Sequence, residues 1–193
     1  MQKATTTILF LLFATTVWAQ PSKELAMLRA KYPDQPAVYT LRSSAAEIVN
    51  SDKDGIRMEI KDHDELLILA DDALPFAPGV EYFNNEYKIE KIRAYTLIPT
   101  EKKYRLMEVK DFKKTSEISD YVFFDDQQSY KYTYPSVCKG AKLVTETTMV
   151  TTKAENPISF YFGLNLPIEE ALFSVTFPES VKISYKLFGA DTT

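Results

Sequence analysis

The chain has 193 residues, with 23 Lys and Arg against 27 Asp and Glu, a formal net charge of −4, and a single cysteine. That balance excludes the clustered positive charge that nucleic-acid binding demands, and a lone thiol excludes an internal disulfide. There is no glycine-rich phosphate loop, no Gly-x-Ser-x-Gly elbow and no catalytic carboxylate pair at a recognisable spacing, so no cofactor is expected.

Residues 1–19 read as a secretory signal peptide. Lys3 supplies the positive start, Ile8 to Phe13 centres a short apolar stretch, and Val17-Trp18-Ala19 suits cleavage before Gln20. A spanning helix needs about 20 mostly apolar residues, and threonines interrupt this shorter run. No cysteine follows it, which excludes a lipidated cysteine at the mature N-terminus. Residues 20–193 then suit one domain, large enough to bury a core without staples.

The mature sequence opens with helical spacing: Ser22 as N-cap, then Leu25, Leu28 and Tyr32, until Pro33 stops the run. Beyond Pro36 the period changes to two. Ile56, Met58 and Ile60 alternate with Arg57, Glu59 and Lys61, as a half-buried strand does. Ile92, Ala94 and Thr96 alternate with Lys91, Arg93 and Tyr95 before Pro99 closes that strand, and Thr100-Glu101-Lys102 turns into Tyr104–Val109. Tyr130, Tyr132 and Tyr134 share one face of another strand, and Gly140 opens a long one over Leu143–Thr152. Phe173, Val175 and Phe177, then Pro178-Glu179-Ser180, then Val181, Ile183, Tyr185 and Leu187, predict a β-hairpin whose apolar side faces the core. The fold expected is mainly β, an antiparallel β-sandwich with a short N-terminal helix.

Three constellations invite chemistry. Cys138 and His63 are the only cysteine and histidine, so a thiol–imidazole site must be this pair. Cys138 lies in a loop that feeds a strand, with Lys139 its one adjacent charge, and an inert thiol is the favoured reading. Asp62-His63-Asp64-Glu65, with Asp71-Asp72 beyond, lacks the ligand spacing of zinc or calcium sites; a solvated turn between Ile60 and Leu66 is favoured, and no metal is expected. Tyr130, Tyr132 and Tyr134, with Tyr121, Phe123 and Phe124 nearby, are the candidate ligand platform for stacking on a sugar or peptide, although aromatic packing in the sandwich is the commoner use of such a stripe. No catalytic residue is assigned.

Four stretches, in order, resemble one family. They are Lys31-Tyr32-Pro33-Asp34 with Ala37-Val38, Ile89 to Pro99, Tyr134-Pro135-Ser136-Val137-Cys138-Lys139-Gly140-Ala141, and Leu172 to Pro178. Together, over about residues 25–188, they resemble the domain of unknown function 3857, a β-rich N-terminal domain of secreted transglutaminase-like proteins of Gram-negative bacteria. The resemblance implies a non-catalytic accessory or interaction domain in the periplasm or at the cell surface, with cysteine–histidine–aspartate chemistry in a separate downstream domain. It implies protein or glycan partners at the cell envelope; the alternative is a carbohydrate- or peptide-binding module. Cys138 falls in a variable slot of the turn motif, and the sparse glycines depart from the family pattern.

Overall fold

The computed structural model describes residues 21–51, 55–116, 127–153 and 158–189. The signal-like segment and Tyr121, Phe123 and Phe124 lie outside the described residues. Helix α1 (Pro21–Lys31) is followed by β1 (Ala37–Ser51), β2 (Gly55–Ile68), β3 (Pro78–Phe83), β4 (Lys88–Pro99) and β5 (Tyr104–Glu108). Strands β6 (Lys113–Ser116), β7 (Gln128–Thr133), β8 (Lys142–Thr151) and β9 (Ala171–Thr176) complete the order.

Two sheets result. The large one runs β5-β4-β8-β2-β1-β9 and the small one β3-β7-β6. Every ladder is antiparallel except β1 with β9, which is parallel. Cross-strand rows define the faces, because residues opposite one another in a ladder share a side. On the inner face of the large sheet one row is Val175, Ala46, Ile60, Met149 and Ile89. A bulge after Ile89 keeps Ile92 on that same side.

Packing divides into three apolar clusters. Between the sheets at one end, Ala37, Ile68, Ala94, Leu143, Tyr132 and Tyr134 are buried with Ala73. At the other end of the inner face Ala46, Ile48, Met58 and Ile60 pack with Met149, Val175 and Val181. The third cluster lies under α1, whose Leu28, with Leu25, meets Val38, Leu67 and Leu69. The helix therefore covers a patch of the large sheet's strands and stands apart from the inter-sheet core.

Two sequence expectations are corrected. The acidic run Asp62-His63-Asp64-Glu65 is mid-strand in β2, paired on both sides by β1 and β8. Charged residues read as a turn when their partners are unseen, whereas here cross-strand partners on both faces accommodate them. The C-terminal hairpin also does not form. Segment Ala171–Thr176 joins β1 in parallel, and residues 181–188 carry no strand. The Val181 amide bonds the Pro178 carbonyl at 2.9 Å, a tight turn that returns Val181 to the Ala46–Met58 cluster. Ile183 and Tyr185 are exposed, Tyr185 by 85%, while Phe173 and Phe177 are partly covered, 37% and 41% exposed.

Gly79 is set by a close approach. It sits opposite Tyr132 in the β3–β7 ladder, and a Cβ there would overlap the Tyr132 ring. Gly79→Ala is therefore expected to destabilise the domain by about 1–3 kcal/mol, as overpacking does. Gly163→Ala, with nothing within 4 Å, serves as a control and should unfold like the parent in a denaturant titration.

Candidate functional site: a polar cleft between the sheets

Between the two apolar clusters of the inner face, two cross-strand rows turn polar at their centre. One is Phe173, Ser44, Asp62, Thr147 and Ile92; the next is Ala171, Arg42, Asp64, Thr145 and Ala94. Alternation in β1, β2 and β8 places all these side chains inward. The same step puts Ser43, His63 and Glu146 on the opposite face. A cleft of about 420 Å³ opens over these rows, with Glu81 of β3 facing in from the small sheet. Phe160, Tyr161 and Phe173 form its aromatic wall, and Phe160 and Phe173 stack at 5.4 Å between centroids.

Arg42 is tied in place. Its Nε donates to both Asp64 oxygens at 3.2 Å, and its Nη1 donates to the Tyr161 carbonyl at 3.3 Å. The guanidinium also lies over the Tyr39 and Phe160 rings, at 5.3 and 5.7 Å, close enough for cation–π attraction. Asp62 has the Ser44 hydroxyl as its hydrogen-bond partner. Glu81 accepts from the Tyr132 hydroxyl at 3.4 Å. Burial pushes the Asp62 and Asp64 carboxyls up and drives Glu81 to about 7, with the charges of Asp64 and Asp62 adding to the rise.

The tyrosine stripe is placed behind this cleft. Tyr132 and Tyr134 are buried, 7% and 8% exposed, so the three tyrosines do not make an open stacking platform. Their rings meet edge to face, and both hydroxyls reach Thr145. Tyr130 is half-buried and stacks on Phe83 at 4.9 Å. The side that these residues take was legible in their alternation. The sheet that covers them was not.

Cys138 and His63 are not assembled into a site. Both imidazole nitrogens face carboxylates, Nε2 with Glu65 at 3.2 Å and Nδ1 with Glu146 at 3.6 Å. Burial raises the Cys138 thiol, and the Lys139 ammonium is engaged by Asp71 at 2.9 Å. His63 instead belongs to a ladder of charges on the outer face. Glu24 and Glu65 flank Lys142, Glu65 and Glu146 flank His63, and Glu146 and Glu108 flank Arg93. Hydrogen bonding to Glu65 raises His63, and the same bond holds Glu65 down at about 2.

With this geometry in view, kinship is clear. Residues 56–193 match the family model described as a domain of unknown function with a solved structure, DUF3857, and the chain belongs to that family. The fold is also similar to a crystal structure from Parabacteroides distasonis ATCC 8503 described as that of a "putative protease". That likeness has a TM-score of 0.61 at 18% identity, covers 75% of this chain and spans only 29% of the other. No curated protein matches the sequence.

The perturbed groups give the stability a defined pH dependence. His63, raised by Glu65, Glu146 and Asp64, contributes most below its unfolded value of about 6.5 and loses that contribution as pH rises through its folded value. Glu81, raised from 4.5 to about 7, is more easily protonated folded than unfolded, so its ionisation also costs stability as pH rises through 7. Around Glu81 stand Asp62, Asp64, Arg42, Tyr39, Tyr132 and Tyr134. Denaturant titrations should therefore show stability falling from about pH 4.5 to about pH 7 through Glu81, with His63 adding a further fall above about pH 6.5. Glu81→Gln should remove part of that slope and stabilise the domain at pH 8.5 by about 1–3 kcal/mol, allowing for solvent screening. His63→Gln should remove another part while destabilising at pH 6.

Proposed function

We propose that this chain is a non-catalytic accessory domain of an exported protein, and that its interaction site is the inter-sheet cleft. The observation that carries this reading is the pair of polar rows. A sheet face built for burial is interrupted by Arg42, Asp62 and Asp64, and the cleft stays open over them. Such a recess, with a few convergent polar groups and an aromatic wall, has the make-up of a ligand site, and its volume lies within the roughly 300–1,000 Å³ of such pockets.

Further support comes from three sides. Cys138 carries a raised thiol with its neighbouring lysine engaged elsewhere, which favours an inert role. The chain resembles a fraction of a longer protein described as a "putative protease", as an accessory domain would. Residues 1–19 have the make-up of a cleaved export signal, and among the described residues no helix is long and apolar enough to cross a membrane. The family resemblance supports reading such a domain as a neighbour of transglutaminase-like chemistry in the Gram-negative envelope, with glycan or peptide as the alternative ligands.

Four measurements test this reading. Intact mass of exported material should begin at Gln20; a full-length membrane-embedded product would contradict export. Binding to glycan and peptide panels should perturb amide resonances at Ser44, Thr145 and Phe160, and Cys138→Ser should leave that binding unchanged. Peptide turnover that disappears in Cys138→Ser would overturn the non-catalytic assignment. Thiol labelling should report a Cys138 pKa raised above that of an ordinary thiol by burial.

A further inference from the structure

Given a cleft that binds ligands, the charge and shape of its walls narrow the class. Three carboxylates, Asp62, Asp64 and Glu81, line it with one guanidinium. That guanidinium is already held by Asp64, the Tyr161 carbonyl and two aromatic rings. Asp62 and Glu81 have hydroxyl partners only, from Ser44 and Tyr132. Among the described residues no cation lies within ion-pair distance of either. In a recess of low dielectric, unpaired carboxylates are costly, and an incoming positive charge offsets that cost.

The second wall is of a different kind. Phe160 stacks on Phe173 and meets Phe162 edge to face, and Tyr161 beside them is 68% exposed. An aromatic surface next to carboxylates suits a group with an apolar stem and a charged head, since the stem packs on the rings while the head reaches the oxygens. A metal ion does not fit this arrangement, because among the described residues no three His, Cys, Asp or Glu side chains are grouped to hold one.

We propose that the cleft binds a primary ammonium on an aliphatic stem, with the charge between Asp62 and Glu81 and the stem against Phe160 and Phe173. A lysine side chain and a free alkyl diamine present this same chemistry. The proposal rests on the cleft being the ligand site, and it adds the ligand's class. Arg42 then acts as a positioning residue, holding Asp64 and the Phe160–Tyr161 wall in place.

The test is a resonance titration of the ¹⁵N-labelled protein at low ionic strength. The probes are Nα-acetyl-lysine amide, 1,5-diaminopentane, the neutral Nα-acetyl-norleucine amide and a neutral oligosaccharide. The lysine probe should bind saturably and shift Ser44, Asp62, Glu81 and Thr145, with the norleucine probe weaker by about tenfold or more, as loss of a charged hydrogen bond implies. Asp62→Asn and Glu81→Gln should each weaken the lysine probe by a similar factor, their spectra otherwise keeping the folded pattern. The tighter of the lysine and diamine probes identifies peptide or free amine as the source. Equal binding of lysine and norleucine in the cleft, or oligosaccharide binding there alone, would reject the ammonium while keeping the cleft as a site. Absence of cleft shifts with every probe would overturn both readings. The norleucine comparison needs no variant, so it decides the question even if Asp62→Asn fails to fold.

Discussion

The interior of this fold is governed by the cost of removing carboxylates from water. Asp62 and Asp64 project from the middle of the central strand β2 onto the face that the small sheet covers. Burying them dry would cost several kcal/mol each, so the two sheets meet closely only at one end. There, Tyr132 and Tyr134 seal against Ala37, Ile68 and Leu143. At the other end Val175 and Val181 cap Ala46 and Met58. The cleft is what remains between two ends that can close and a middle that cannot.

The same arithmetic explains why the polar rows are tolerated. Arg42 neutralises Asp64 in a two-oxygen contact, Ser44 serves Asp62, and the Tyr132 hydroxyl serves Glu81. What pairing leaves undone, protonation completes, which is why Glu81 rises to about 7. A stability-optimised sheet would place valine or isoleucine in these rows. Retaining charge there costs stability, which fits the interaction site proposed for the cleft.

On the opposite face charge has another use. Lys142, His63 and Arg93 alternate with Glu24, Glu65, Glu146 and Glu108 across β5, β4, β8, β2 and the start of α1. The exposed Arg93 pairs contribute little one at a time, whereas Lys142 and Glu24 are shielded from solvent. As a chain they fix the helix to the sheet, since Glu24 of α1 meets Lys142 at 2.7 Å and Tyr104 donates to the same carboxylate at 3.3 Å. His63 thus has a structural role on the outer face, although its sequence neighbours Asp62 and Asp64 line the cleft on the inner one.

Sequence by itself determined what depends on near neighbours. Alternation in Ile92-Arg93-Ala94-Tyr95-Thr96 placed that strand and its buried side, and Leu25, Leu28 and Pro33 marked the helix and its end. Tertiary structure alone decided everything that hangs on a distant partner. The acidic run looks like a turn until β1 and β8 supply Arg42, Ser44 and Thr147 beside it. The segment after Pro178 has a strand's pattern but turns back to the core without a ladder, because pattern specifies a face and not a partner. For the same reason the tyrosine stripe was legible as one face, while its burial required the large sheet that lies against it. The cleft drew its residues from β1, β2, β3, β8, β9 and the 158–161 segment, among others, which no spacing in the chain connects.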